Sequence, residues 1–114
     1  MELNEYQKQA MSTCTKSSNN DAYMILNLIG EVGEVCSKLA KLIRKEEANM
    51  NENQFFIKVK DREPIALELG DVLWQLSGTC NSLGFSLEEV AQMNLSKLRS
   101  RKERNKIIGE GDKR

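Results

Sequence analysis

The stretches EVGEV, residues 31–35, and ELGDV, residues 68–72, decide the expected fold and site of this chain. Each has the order acid, aliphatic, glycine, acid, valine, and each lies inside an apolar run that favours a helix. Because residues three apart share one face of a helix, each stretch presents two carboxylates side by side. Two such helices packed together would form an oxygen-rich pocket suited to a hard divalent cation such as Mg2+. The four acids are Glu31, Glu34, Glu68 and Asp71.

The surroundings of these acids carry more information than their spacing. About two or three acid pairs at this spacing are expected by chance in a chain so rich in acids. In both stretches, however, the first acid lies at the margin of an apolar stripe and the second lies further round the helix. The stripes are Ile25, Leu28, Ile29, Val32, Val35, Cys36, Leu39 and Ile43 on one helix, and Ile65, Leu69, Val72, Leu73, Leu76, Cys80 and Leu83 on the other.

The two stretches also share a glycine, Gly33 in the first and Gly70 in the second. A glycine inside a helix costs about 1 kcal/mol relative to alanine. Its presence just before the second acid of each stretch therefore predicts a close approach by another helix or by a ligand. The alternative interpretation is that the acids form the solvated faces of amphipathic helices, on which the glycines are merely tolerated.

Composition restricts the chemistry. At 114 residues the chain is expected to form one domain, residues 1–114. The 17 Lys and Arg balance the 17 Asp and Glu, so a basic surface for a nucleic-acid polymer is not expected. The chain has no histidine, which argues against zinc chemistry and against a His-based triad. Catalysis would therefore depend on carboxylates, a metal ion, Lys and Arg.

The cysteines and the hydropathy bear on the compartment. Cys14, Cys36 and Cys80 lack the spacing of a metal site, and two of them lie on the apolar stripes, as buried free thiols do. No apolar segment approaches the length of a membrane span, and no signal-peptide pattern opens the chain. We expect a cytoplasmic protein that does not enter a membrane.

Helical spacing and capping residues predict four helices. They cover about residues 3–16, 21–46, 61–83 and 86–104, with a loop at 47–60 and a glycine-broken tail at 105–114. Asp61 is the expected N-cap of the third helix, with Pro64 in its first turn. Gly84 is the expected C-terminal cap of that helix, and Ser86 with Glu89 fits a capping box for the fourth.

These helices predict an all-α fold, an antiparallel four-helix bundle with an irregular C-terminal arm. The second helix is apolar over more than one side, because Met24, Leu26, Ala40 and Leu42 lie beyond its main stripe. One small bundle cannot easily bury that surplus. We therefore expect a homodimer or a homotetramer.

Several motifs together resemble the MazG-like nucleotide pyrophosphohydrolases of the all-α NTP pyrophosphatase superfamily. The two acid pairs, each on a long helix, resemble the metal motif of that family. Three further segments are similar to the family's opening, its fourth-helix signature and its glycine-rich tail. They are Leu3-Asn4-Glu5-Tyr6-Gln7, Asn94-x-x-Lys97-Leu98-x-x-Arg101 and Gly109-x-Gly111-Asp112-x-Arg114. Residues 47–60 lie outside the resemblance, and they make the separation of the acid pairs longer than in compact members.

The resemblance implies hydrolysis of a nucleoside triphosphate, deoxy or noncanonical, to a monophosphate and pyrophosphate. It implies Mg2+, with Mn2+ as a substitute, held by Glu31, Glu34, Glu68 and Asp71. One of the motif's glutamates would accept the proton of the attacking water, and Glu34 is the candidate. The substrate-binding candidates are Lys38, Lys97 and Arg101 for phosphate, and Asn27, Gln75 and Asn94 for the sugar or the base.

Three rival interpretations have separate signatures. A non-catalytic helical regulator that binds nucleotides or proteins would release no pyrophosphate. A carboxylate-bridged redox-metal bundle usually adds histidines in Glu-x-x-His pairs, and this chain has none. A nucleic-acid binder would use the cations of the fourth helix and would show a steep salt dependence.

Overall fold

Two long helices, α2 (Asp21–Arg44) and α3 (Val59–Ser82), form the body of the computed structural model, which describes residues 1–51 and 54–112. The shorter helices α1 (Leu3–Met11) and α4 (Leu87–Glu103) pack at one end of this pair. A two-stranded hairpin, β1 (Ala48–Asn51) and β2 (Gln54–Ile57), connects α2 to α3. The chain is thus mostly helical, as expected. It also contains one small sheet, which was not expected.

The seam between α2 and α3 combines apolar packing with interhelical hydrogen bonds. Met24 is 3% exposed and lies against Gly78, where an added Cβ would clash with the Met24 side chain. The Thr79 hydroxyl donates to the Met24 carbonyl at 2.9 Å. Farther along, Lys38 on α2 lies opposite Glu68 on α3, so the two helices run antiparallel. This close pairing places one acid stretch beside the other.

Two polar side chains attach α1 to the rest of the chain. The buried Gln7 donates from Nε2 to the Ser77 carbonyl at 3.1 Å and accepts from the Leu87 amide at 2.9 Å, so it joins α1 to α3 and to the start of α4. The Trp74 indole donates to the Ala10 carbonyl at 3.0 Å and to the Thr13 hydroxyl at 2.8 Å. Trp74 therefore packs between helices, with its polar group satisfied.

The predicted helix ends between α3 and α4 are confirmed. Gly84 has φ +80°, and the Phe85 amide donates to the Cys80 carbonyl at 2.8 Å, as in a Schellman motif. The capping box of α4 is present, because the Glu89 amide donates to the Ser86 hydroxyl and the Ser86 amide donates to the Glu89 carboxylate, both at 3.1 Å.

Other predicted boundaries were wrong. The first helix ends at Met11 and not near residue 16, because the chain turns there and the Thr13 hydroxyl donates to the Ala10 carbonyl at 2.7 Å. β1 and β2 pair antiparallel where a loop was predicted, with Ala48 opposite Ile57. Lys58, not Asp61, is the N-cap of α3, so Asp61 lies in its first turn.

The apolar stripes predicted to line a core are largely uncovered in one chain. Ile29 is 79% exposed, Leu69 53% and Val32 44%. The radius of gyration is 17.2 Å, compared with roughly 13 Å for a compact domain of this length. The bundle prediction is confirmed in its helices but not as a closed bundle. Over the described residues, no helix combines the length and the hydropathy that crossing a membrane requires.

Candidate metal centre

Three of the four predicted metal ligands converge at the middle of the α2–α3 seam. Glu31 of α2 and Glu68 and Asp71 of α3 each offer a carboxylate oxygen within 4.8 Å of the others. Glu31 and Glu68 are half-buried, whereas Asp71 is exposed, so the group opens to solvent on one side. A set of only oxygen donors from carboxylates fits a hard cation such as Mg2+, which usually keeps several waters or phosphate oxygens as its other ligands.

The fourth predicted ligand, Glu34, lies outside this group. It is exposed and lies three residues after Glu31, further round the helix from the seam. A flexible, exposed glutamate is not held in one rotamer by its neighbours. Its predicted roles as a ligand and as the proton acceptor stay predictions.

Lys38 is the cation beside the carboxylates. Its Nζ lies 2.6 Å from Glu68 Oε1, and the two side chains are 40% and 17% exposed. Since three carboxylates so close together repel each other, a neighbouring ammonium offsets part of that repulsion. The structure therefore places Lys38 at the predicted site, where its contact is with a candidate ligand.

Asn27 and Gln75 extend the site into the seam. Asn27 Nδ2 donates to Glu31 Oε1 at 3.0 Å and to Gln75 Oε1 at 3.1 Å. Gln75 is 1% exposed, and its Nε2 donates to the Met24 carbonyl at 3.1 Å. Both residues were predicted to contact substrate. Gln75 is instead enclosed between the helices, while Asn27 is half-buried beside the carboxylates.

The glycines of the motif do not make the predicted contacts within one chain. A Cβ at Gly33 or Gly70 would meet nothing within 4 Å among the described residues, so no helix approaches there. The close approaches are at Gly78, against Met24, and at Gly30, where a Cβ would lie 2.9 Å from Asn27 Oδ1. The open space beside Gly33 and Gly70 leaves only a ligand or a second chain as the predicted neighbour.

Tyr6 on α1 is near the carboxylates, although no role was predicted for it. Its pKa is raised, chiefly by burial and further by the negative charge of Asp71. The only sequence signal was its position in the LNEYQ segment, and the helical spacing of α1 does not indicate which residue will face α3. Packing of α1 through Trp74 and Gln7 brings Tyr6 there.

The predicted phosphate ligands of α4 are engaged elsewhere. Asp112 Oδ1 accepts from Lys97 Nζ at 3.1 Å and from Arg101 Nη2 at 3.3 Å. The hydrogen bond and charge of Lys97, followed by those of Arg101, lower the pKa of Asp112. Asn94 is exposed and lines a shallow cavity of about 300 Å³ together with Lys97. In the described part of the chain, the ion pairs of these cations are with the C-terminal segment and not with the carboxylate group.

A separate cavity lies at another place in the seam. It has a volume of about 570 Å³ and lies between the α1–α2 connection and the last turns of α3. Its polar lining includes Lys16, Asn19, Asp21 and Asn81, and Met24 also contributes. Met24 precedes Glu31 by seven residues, which is roughly 10 Å along a helix. Sequence patterns did not indicate this cavity, because four of its ten lining residues, Cys14, Thr15, Lys16 and Asn19, come from a connection without periodicity.

Three carboxylates from a helical pair, each with an oxygen within 4.8 Å of the others, form the type of donor set that divalent cations prefer. The comparisons with known proteins are more specific. Residues 19–105 match the model of the MazG nucleotide pyrophosphohydrolase domain. The Gene 37 protein of Mycobacterium phage L5 is 38% identical over 93 residues, which cover 82% of this chain and 75% of the phage protein. No solved structure matches the chain at a significant level. The chain belongs to the MazG nucleotide pyrophosphohydrolase family.

Proposed function

We propose that this protein hydrolyses a nucleoside triphosphate, deoxy or noncanonical, to a nucleoside monophosphate and pyrophosphate in a Mg2+-dependent reaction. The observation that carries the proposal is the convergence of Glu31, Glu68 and Asp71 within 4.8 Å, in a chain that belongs to this family. Acids on solvated helix faces would have no reason to meet across a seam, because like charges repel each other.

Glu31, Glu68 and Asp71 would hold the cation, and Glu34 would join them after a change of rotamer. Bound Mg2+ would supply neutralisation of phosphate charge, orientation of the triphosphate and a more acidic attacking water. Glu34, exposed beside the group, would accept the proton of that water as it attacks the α-phosphorus.

Cationic side chains of this chain would hold the phosphate oxygens. Lys38 would exchange its contact with Glu68 for a contact with phosphate. Lys97 and Arg101 already bind a carboxylate, which is chemically similar to a phosphate oxygen pair. For these two to act on substrate, the segment that contains Asp112 would move away, or the cations would serve the site of another subunit. Asn94 would contact the sugar or the base.

We also propose that the functional unit is a homodimer or a homotetramer. The exposed apolar side chains of α2 and α3, with Ile29 at 79% and Leu69 at 53%, form more apolar surface than a monomer usually leaves in water. Light scattering coupled to gel filtration should give a mass of at least twice 13.0 kDa. A monomer at micromolar concentration would contradict this part of the proposal.

The function is tested by pyrophosphate release. Purified protein is incubated with a panel of dNTPs, NTPs and noncanonical triphosphates, with Mg2+, with Mn2+ and with a chelator. The expected result is release of pyrophosphate and a monophosphate from at least one member, abolished by the chelator. Binding of nucleotides without any release would favour the non-catalytic regulator instead.

A further inference from the structure

We propose that Gln75 and Asn27 are positioning residues, which fix the orientation of the Glu31 carboxylate for the cation. The inference rests on the proposed function, because it gives these residues a role at the same site. The contacts form a chain from the backbone of α2, through Gln75 of α3, to Asn27 and then Glu31. The sequence predicted that both residues contact the substrate. Their hydrogen bonds to each other and to Glu31 do not require that role.

The donors and acceptors allow only one arrangement of this chain. The Tyr23 and Met24 carbonyls can only accept, and Gln75 Nε2 donates to them at 3.3 and 3.1 Å. The Gln75 side-chain oxygen must therefore face Asn27, and it needs a donor. Asn27 Nδ2 is that donor at 3.1 Å, and its second hydrogen reaches Glu31 Oε1 at 3.0 Å. Reversal of either amide would place two acceptors or two donors against each other.

Burial of Gln75 disfavours other orientations of its side-chain amide. Gln75 is 1% exposed, so an unpaired amide there would be costly and alternative rotamers have no water to satisfy them. The groups that orient a metal ligand are usually such outer hydrogen-bond partners, and their loss typically weakens metal binding by about 10- to 100-fold. Among the acids of the cluster, Glu31 is the one with a described amide partner of this kind, whereas Glu68 pairs with Lys38, which is 40% exposed.

Gly30 leaves space for the Asn27 side chain. A Cβ at this position would lie 2.9 Å from Asn27 Oδ1 and 3.7 Å from Asn27 Cγ. The absence of a side chain thus leaves room for the Asn27 amide in the orientation that serves Glu31. A side chain at position 30 would therefore act on the site through Asn27, and its effect should disappear when Asn27 is itself replaced.

The first experiment measures the dissociation constant of Mn2+ alone, from the electron paramagnetic resonance signal of the free ion. Full-length wild-type protein is compared with Asn27→Ala, Gln75→Leu and the double variant. We expect Asn27→Ala to weaken Mn2+ binding about 10- to 100-fold and Gln75→Leu to weaken it less, because Gln75 acts through Asn27. The double variant should be no weaker than Asn27→Ala, since two members of one chain of contacts are not additive.

A purely structural role is separated by two further readouts. Thermal unfolding in chelator reports whether each variant is folded, and the Met24 carbonyl keeps the Thr79 hydroxyl as a partner when Gln75 is replaced. In the enzyme assay, the Mg2+ concentration for half-maximal rate should rise, while the rate at saturating Mg2+ recovers. Folded variants that bind Mn2+ like the wild type would overturn the inference.

Gly30→Ala provides the control for the geometry. It should weaken Mn2+ binding in the wild-type background, but it should leave the dissociation constant of Asn27→Ala unchanged within about twofold, because no Asn27 amide remains to be displaced. Equal effects of Gly30→Ala in the two backgrounds would overturn the inference. Failure of the proposed function looks different: wild-type protein that binds no Mn2+ at all would remove the centre itself, and with it the role of its positioning residues.

Discussion

The carboxylate group in the α2–α3 seam and the cations of α4 are both parts of the predicted site, but the charged groups that surround them in the fold differ. In the seam, Glu31, Glu68 and Asp71 come from two helices and meet within 4.8 Å, although their charges oppose this. In α4, Lys97 and Arg101 come from one helix and bind Asp112, which lies close by in sequence. The first arrangement needs an added cation for neutrality, whereas in the second the Asp112 carboxylate offsets one of the two positive charges.

In the metal-binding half of the proposed site, one chain brings three of the four proposed ligands together, whereas the cations of the proposed anion-binding half are bound to another carboxylate. The packing of α2 on α3, with Met24 against Gly78 and Thr79, holds the carboxylates together without help from α4. Arg101 is 5% exposed and its Nε has no hydrogen-bond partner among the described residues, so it has donor capacity that the segment containing Asp112 does not use. The following predictions address the two halves separately.

The largest effect is expected in the seam. Asp71→Asn removes one charge from the carboxylate group and keeps its shape, so pyrophosphate release should fall by two to three orders of magnitude, which is roughly the effect of removing one electrostatic group from an active site. Steady-state assays with Mg2+ measure this, and circular dichroism should show an unchanged helix content.

Glu2→Gln is the matched control for Asp71→Asn. Glu2 belongs to an acid pair with the same spacing but lies outside the seam, and it is exposed. Its replacement should leave the rate unchanged. Similar losses in both variants would show that overall charge, and not the cation centre, controls the activity.

An intermediate effect is expected in α4. Arg101→Lys keeps the charge but loses the forked guanidinium, so KM for the triphosphate should rise about tenfold, the equivalent of roughly 1.4 kcal/mol. The Mn2+ dissociation constant, measured without nucleotide, should stay at the wild-type value. A change in Mn2+ affinity would contradict the separation of the two halves.

The smallest effect concerns the C-terminal segment. Its contact with α4 depends on the Asp112 carboxylate, whose pKa Lys97 and Arg101 hold below the ordinary value of 3.8. A lowered pKa means that the contact is fully formed above that ordinary value and is lost only as the pH falls through the lowered pKa. Carbon-detected NMR titration of Asp112 should show this, and Lys97→Gln should move the pKa upward. A wild-type pKa above the ordinary value would contradict the contact.

The contact of Asp112 with Lys97 and Arg101 also leads us to expect a small kinetic effect. Asp112→Asn should free Lys97 and Arg101 and lower KM for the triphosphate a few-fold, if these cations serve the phosphates. Glu110→Gln, which removes the same charge from the same segment, should leave KM unchanged.

Local patterns predicted much of the secondary structure. The Schellman turn at Gly84 and the capping box at Ser86 are present, because both depend on residues within one or two turns of each other. The pairing of β1 with β2 was not predicted, since the two strands, ANMN and QFFI, lack a clear alternation of apolar and polar residues. The predicted start of α3 was wrong, because Asp61 suits the first turn of a helix as well as it suits the N-cap position.

At the site, the residue types of the acid stretches and their helical spacing were readable from the sequence, and both stretches lie within the residues 19–105 that match the family model. Which of these acids meet, and which amides and hydroxyls stand behind them, was decided only by the tertiary structure. Glu34 and Glu31 have the same spacing relation as Asp71 and Glu68, yet Glu34 stays outside the group. The reason is physical: helical periodicity sets the angle of a side chain about its own axis, whereas the rotation of one helix against another is set by close contacts such as Met24 on Gly78 and the buried Gln75.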